Sequence, residues 1–370
     1  MLIDFLNQDV DNRLSWAARV GEAYDVEVNA LTVDSLFDLY RRAGFLYAAK
    51  AARLLPYMDL VKENWRRMLQ AGDSLLYVLT AGSEEKGQAS IAVWRTTGRA
   101  WVSQHLVSEN NPLGSRAVML AGSAGALLRG LDESHQNWFR PENRFPARVF
   151  GSMVQSIGES YASVRRHMYF ALPRHKSFEA NDSVHVVPYD SSHQEALCGL
   201  AALVRGNMYV NSEELKHDVE LHYVNDLYRG VGLRRTRQTW LAYRDSKDEP
   251  IGAVMAYRGP LGINFSFIEN RCDLLLHPAV AESDVPTIVG SLMNAARAAY
   301  TDFELNEIPV IADQMAASAL TELGAEFLRS YCHGIWLQRG QSHFYEHVDH
   351  FYTRLLQRAE RQNVERSITV

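Results

Sequence analysis

The sequence predicts an α/β (α+β) chain of two tandem domains, each a mixed, mostly antiparallel sheet flanked by helices. Three observations carry that prediction. The chain has 370 residues, more than one domain usually holds. A polar stretch at residues 173–183, with Pro173 and the run Asn181-Asp182-Ser183, favours an irregular connection almost at the midpoint. The order of helical and extended patterns before that break is repeated after it. The domains are therefore placed at 1–175 and 183–340, followed by a C-terminal helix over 341–370.

In the first half, residues 31–55 carry helical apolar spacing (Leu36, Leu39, Tyr40, Ala43, Leu46, Tyr47), with Thr32 or Asp34 as N-cap. Residues 58–69 form a second helix that ends at Ala71-Gly72-Asp73. Three extended runs follow at 75–81, 88–94 and 99–108, separated by the turn signals Gly82-Ser83 and Thr97-Gly98, so they read as an antiparallel meander. A long apolar helix (116–128), a short extended segment (136–139), a helix (145–157) stopped by Gly158 and a strand (166–172) complete the half.

The second half runs in the same order. It has a strand at 184–188, helices at 194–204 and 213–228, and meander strands at 239–243, 251–257 and 263–276. A long helix follows at 285–300, then a parallel-strand candidate at 308–311, a helix at 315–323 stopped by Gly324, and a closing strand at 328–337. The stop glycines Gly158 and Gly324 lie 166 residues apart. That spacing indicates a duplicated domain rather than a solenoid, whose period is roughly 20–50 residues. The tail over 343–365 carries a helical stripe (Phe344, Tyr345, Val348, Phe351, Tyr352, Leu355, Leu356) suited to packing across a domain or a second copy of the chain.

Composition narrows the function classes. Hydrophobic residues at 47% with charged residues at 22% exclude long disorder. Lys and Arg number 38 against 44 Asp and Glu, a net charge of −6, which argues against a general nucleic-acid binder. Cys198, Cys272 and Cys332 are distant and form no CxxC pair, so they read as reduced thiols rather than a disulfide framework or zinc site, and no metal is expected. The N-terminus carries acids where a signal peptide would be basic. The longest nearly apolar run, 117–128, is far short of a span of about 20 residues. A soluble, cytoplasmic protein without a membrane span is expected.

The element order, with a long helix after the third meander strand, resembles the GNAT acyltransferase fold in tandem. The strand, helix and turn over Pro309 to Phe327, with its Leu323-Gly324-Ala325, resemble the close of a GNAT domain. The resemblance implies an acyl-CoA co-substrate, acetyl-CoA or longer, whose pyrophosphate lies at a motif R/Q-x-x-G-x-G/A opening the long helix. The reason is general: backbone N–H groups and the helix dipole favour an anion there. The first half has Asn111-Pro112-Leu113-Gly114-Ser115-Arg116 at this place. It keeps the central glycine and lacks the leading Arg or Gln and the final small residue. Asn111, Leu113, Gly114, Ser115 and Arg116 are thus the candidate cofactor contacts, and a plain loop with a Ser115 N-cap is the competing reading. The second half, 277–286, has no glycine and places Glu282 and Asp284 where they would repel a pyrophosphate.

Acyl transfer to an amine needs a base, an oxyanion partner and an acid. The resemblance points to the end of the third meander strand for the base and to a Tyr after the closing helix for the acid. His105, Glu109 and Tyr161 are the candidates, with Tyr169 an alternative acid. A half-buried strand histidine and a solvated acid are the commoner readings of the first two. The dense polar and aromatic run 135–144 lies where such domains splay neighbouring strands, so Trp138, Arg140 and Asn143 are the candidate substrate contacts. Cys332 beside His333 is rejected as a nucleophile–base pair, because adjacent strand residues face opposite ways. Arg229, Arg234, Arg235 and Arg237 read as a solvated helix end or as an anion site. The expected activity is N-acyl transfer to a small-molecule or peptide amine, with nucleic acid disfavoured and a homodimer open. The alternative is a non-catalytic ligand-sensing or scaffold protein built on two decayed domains.

Overall fold

The computed structural model describes residues 26–128, 134–176, 178, 183–244 and 249–368. The first half contains strand β1 (Val26–Val28) and helices α1 (Val33–Arg42), α2 (Ala48–Leu54) and α3 (Met58–Gln70). The meander β2 (Leu76–Ser83), β3 (Gly87–Arg95), β4 (Ala100–Glu109) follows, then α4 (Pro112–Leu128) and β5 (Ser134–Phe139). Helices α5 (Arg144–Val149) and α6 (Met153–Ile157) lead into β6 (Ala162–Pro173).

The second half contains β7 (His185–Pro188), α7 (Gln194–Arg205), α8 (Asn207–Ser212) and α9 (His222–Arg229). Its meander is β8 (Thr236–Tyr243), β9 (Gly252–Arg258), β10 (Cys272–Leu276), followed by α10 (Val285–Ala296) and β11 (Glu307–Ala312). Helix α11 (Ala317–Glu322), strand β12 (Glu326–Leu337) and helix α12 (Gln341–Ile368) close the chain.

The predicted strands and long helices are present, and the differences have local causes. The helix read over 31–55 is two helices, because Gly44 takes a left-handed φ of 71° between them. The helix over 145–157 also breaks. A Cβ at Gly151 would lie 2.2 Å from the Ala147 carbonyl oxygen, so the chain packs too closely there for any other residue. Residues 213–228 are helical only from His222, since Glu214 and Leu221 both adopt positive φ. The third strand of the second meander begins at Cys272, not 263; the preceding residues form an irregular buried loop with Phe267 at φ 59°. Some of the polar break, residues 177 and 179–182, lies outside the described residues, as does the N-terminal stretch before Val26.

The twelve strands of the described residues form one sheet, ordered β1-β2-β3-β4-β5-β12-β6-β11-β10-β9-β8-β7. Two neighbouring pairs are parallel, β4 with β5 and β10 with β11; the others are antiparallel. The halves mirror one another about the central β12–β6 pair. Each closing strand has crossed over: β12 lies against β5 and β6, and β6 lies against β11 and β12. Each closing strand therefore hydrogen-bonds only to strands of the other half.

The long helices cover the two meanders. Gly122 lets α4 approach Ile91 and Val93, and the Tyr77 hydroxyl donates to the Gly122 carbonyl at 2.6 Å. In the second half, Leu292 of α10 packs where Gly252 leaves room. From α3, Trp65 Nε1 and Asn64 Nδ2 donate to the carbonyls of Gly262 and Leu261, tying the first half to the irregular loop of the second. The tail helix α12 folds back on the first half, where Phe344, Val348 and Tyr352 are buried with Met119, Phe150 and Trp336.

Candidate functional site

Strands β4 and β5 pair over only three positions, Ala100 with Ser134, Trp101 with His135 and Val102 with Gln136. They then diverge, and the cause is in β4. Its register against β3 slips between the pairs Ala92–Gln104 and Ser90–Val107, a β-bulge that bends the strand. His105 sits in the bulge with φ 56°, a conformation uncommon for a residue with a Cβ. Side chains bridge the widening gap in place of the ladder. Gln104 Nε2 donates to the Trp138 carbonyl at 2.9 Å, and Asn137 Nδ2 donates to the Ser103 carbonyl.

The opening is a cavity of about 420 Å³. Residues 103–108 of β4 form one wall, and residues 137–139 of β5 with the following Arg140 form another. Gly44 to Lys50 close it from the α1–α2 side, and Asn264 to Ile268, Arg329 and Tyr331 come from the second half. Among the described residues, three cations line it, Lys50, Arg140 and Arg329, and no Asp or Glu does.

His105 is 4% exposed and packed within a cage of rings, 4.3 Å from Phe265 and stacked on Trp65 at 5.6 Å. Its Nδ1 is buried without a hydrogen-bond partner. Burial, helped by the charge of Lys50, holds its pKa well below the usual histidine value, so the ring is neutral. Lys50 Nζ lies 3.6 Å over the Phe45 ring. Burial first, then the charges of Arg140 and Arg329, lowers its pKa to about 7. Trp138 stacks on His333 at 3.9 Å, and its Nε1 is buried without a partner. The Tyr331 hydroxyl donates to Ser266 Oγ at 2.7 Å.

The structure thus brings together His105, Trp138, Arg140 and Asn143 from the sequence candidates, with Ser115 at the margin. Glu109 is not among the lining residues; it pairs with Arg42 Nε at 3.1 Å. Tyr161 lies outside the cavity, close against Gly340 and 5.8 Å from the His343 ring. The crossover explains why. The closing strand beside β5 is β12, so Tyr331 faces the site in place of Tyr161, just before β6, or Tyr169 within it. Lys50, Arg329 and Tyr331 were not singled out for this site. A lone cation within Ala48-Ala49-Lys50-Ala51-Ala52 was the one sequence signal available for Lys50.

The first turn of α4 does not match a diphosphate cradle. Asn111 Oδ1 accepts from the Gly114 N–H at 2.8 Å, and the Asn111 carbonyl accepts from the Ser115 N–H at 2.9 Å. Pro112 has no N–H to offer. Ser115 Oγ bonds the Tyr352 hydroxyl at 2.7 Å, and Arg116 pairs with Asp349, both on α12. Leu113 is 45% exposed on the same turn. The strands are splayed, whereas the turn expected to hold a pyrophosphate is occupied by the chain's own groups.

In the second half the corresponding opening is filled by charges. Arg205 reaches Asp273 of β10 at 3.1 Å and also pairs with Asp313, just past β11. Glu213 accepts from Arg271 Nη2 at 2.9 Å and from the Tyr257 hydroxyl at 2.9 Å, with Arg237 at 3.4 Å. This corrects the reading of the arginine cluster. Arg235 and Arg237 are 1% exposed and neutralised inside, Arg235 by Glu269 at 2.8 Å, while Arg229 and Arg234 pair with Asp226 and Asp302. On β12, Cys332 joins an apolar cluster with Phe139 and Trp336, while His333 Nε2 donates to Gln136 Oε1 at 3.0 Å.

Among the described residues, no group of three or more His, Cys, Asp and Glu is placed to hold a metal ion, and no helix is long and apolar enough to cross a membrane. No family model matches the sequence, and no curated protein does. Solved structures do. One is a tandem GNAT protein from the clavulanic acid biosynthesis pathway, 12% identical with TM-score 0.43, covering 84% of this chain and 98% of its own. Another is a putative acetyltransferase from Pyrococcus horikoshii, 10% identical with TM-score 0.40, covering 85% and 89%. A third is a Drosophila protein, 10% identical with TM-score 0.45, covering 82% and 95%. The element order in each half, the parallel pair that each long helix connects, and the bulged β4 of the first half make this a GNAT-like fold in tandem.

Proposed function

We propose that the first-half cleft transfers an acyl group from a thioester to an amine. The observation that carries this reading is the bulge at His105. It separates β4 from β5 and leaves an aromatic-walled cavity with polar groups converging on it. The thioester, with coenzyme A the carrier suggested by the resemblance, supplies an activated acyl carbon. The chain's own residues supply the rest. Neutral His105, whose Nδ1 has no hydrogen-bond partner, is the group that can take a proton from the amine. The Tyr331 hydroxyl is the acid for the leaving thiolate, and the lining cations favour charge developing on the acyl oxygen.

The test is amine-dependent thiol release from acetyl-CoA and from longer acyl-CoAs across an amine panel. Tyr331→Phe is expected to lower kcat by roughly 10²-fold while leaving the melting temperature near wild type. Absence of amine-dependent release with every donor would overturn the proposal. One observation favours a second reading, ligand sensing without turnover: the α4 turn is occupied by Asn111 and by α12. Under that reading wild type binds a thioester or its acceptor and releases no thiol.

A further inference from the structure

We infer that the acceptor amine carries a carboxylate, and that Lys50, Arg140 and Arg329 hold it. This deepens the acyl-transfer reading and rests on it. The three cations come from separate regions of the fold: α2, the residue after β5, and β12 of the second half. Their convergence on one cavity is not local patterning.

Like charges gathered in a partly desolvated place are unfavourable unless an anion joins them. Elsewhere this chain obeys that rule. Arg205, Arg235, Arg237 and Arg271 are buried, and each has a carboxylate partner inside the protein. Around the cavity the rule is left unmet. Among the described residues neither Lys50, Arg140 nor Arg329 has a carboxylate partner, and the cavity wall contributes none. Arg329 Nε is moreover buried without a hydrogen-bond partner. Both arginines depress the Lys50 pKa, so the repulsion is expressed at the site itself.

The rest of the wall fits a small amino acid or short peptide. Asn143, Asn264 and Ser266 offer neutral polar contacts, and Phe45, Trp138 and Phe265 offer apolar faces for a stem. A volume near 420 Å³ suits a ligand of that size. A carboxylate also matches the planar fork of each guanidinium.

Calorimetric titration without donor separates this inference from the transfer reading. The probes are L-amino acids and dipeptides, each against its own C-terminal carboxamide. The carboxylate of a pair is expected to bind at least roughly tenfold tighter than the amide. Arg140→Gln and Arg329→Gln should each erase that preference with the melting temperature retained, and Arg41→Gln, a change at an exposed cation, should not. Equal binding of acid and amide, or no binding of any pair, would overturn the inference. So would transfer confined to uncharged or cationic amines, although acyl transfer itself would stand. A carboxylate preference in binding with no thiol release would uphold the inference and remove the transfer reading. A third arm titrates adenosine 3′,5′-bisphosphate. If Arg140→Gln and Arg329→Gln weaken it and leave the acid–amide preference intact, the cations serve the donor's phosphates and the inference fails.

Discussion

At the scale of single residues, two ionisable groups give opposite pH signatures. The Lys50 pKa falls from 10.5 to about 7 on folding, so between those values the unfolded chain holds a proton that the folded chain has lost. Stability therefore rises with pH across that window. Lys50→Met should be more stable than wild type at pH 7 and below, with the difference shrinking to nothing towards pH 10.5; melting curves across pH check this. Glu213 behaves in reverse. Burial pushes its pKa up, but Arg271 and Arg237 outweigh that and hold it below the ordinary value of 4.5. Its contribution is present above that value and is lost as pH falls through the folded pKa. Glu213→Gln leaves Arg237 without a carboxylate and Arg271 with Asp273 alone, at 3.5 Å, and should cost about 3–5 kcal/mol in urea unfolding at neutral pH. Trp138, Arg140 and Asn143, which line the cavity, stood out in the sequence through the density of polar and aromatic residues over 135–144, and His105 through its place near the end of the third meander strand. Lys50 and Arg329 did not, since a single cation in a helix or strand is ordinarily a solvated one.

At the scale of elements, α4 and α12 work together. Asn111 caps α4 and also donates to the carbonyls of Gly87 and Ala81, locking the helix start to the β2–β3 hairpin. Asn111→Ala should cost about 1 kcal/mol or somewhat more, as a lost helix cap does, and equilibrium denaturation measures it. Because the Gly114 and Ser115 N–H groups of this turn are taken by Asn111, acetyl-CoA and acetyl-pantetheine should bind with similar Kd. A strong advantage for the nucleotide-bearing donor would show that the turn opens. The order of helices and strands was legible from periodicity and glycine stops. The helix breaks at Gly44 and Gly151 and the loop before Cys272 were not, because they answer to close backbone packing and tertiary burial that a window of sequence does not contain. The amphipathic stripe of the tail was legible as well, and α12 lays it across the first half.

At the scale of the whole molecule, the duplication was legible and the crossover was not. Strand order leaves no mark on hydrophobic alternation, and β6 and β12 have the same pattern whichever half they join. Yet the crossover decides how the chain holds together, for both edges of β6 are paired with second-half strands and both edges of β12 with first-half strands. Residues 1–183 and 184–370 expressed apart should each fail to fold cooperatively and should recover native dichroism when coexpressed. It also decides that the first-half cleft borrows Arg329 and Tyr331 from the second half, whose own opening is closed by Arg205 with Asp273 and Asp313. The proposed transfer uses one cleft per chain, between β4 and β5. Calorimetric titration of acetyl-CoA into wild type and into Asn143→Trp, which enlarges a lining side chain, tests it. One site per chain is expected in wild type and none in the variant. Two sites, no binding to wild type, or binding that Asn143→Trp leaves unchanged would contradict it.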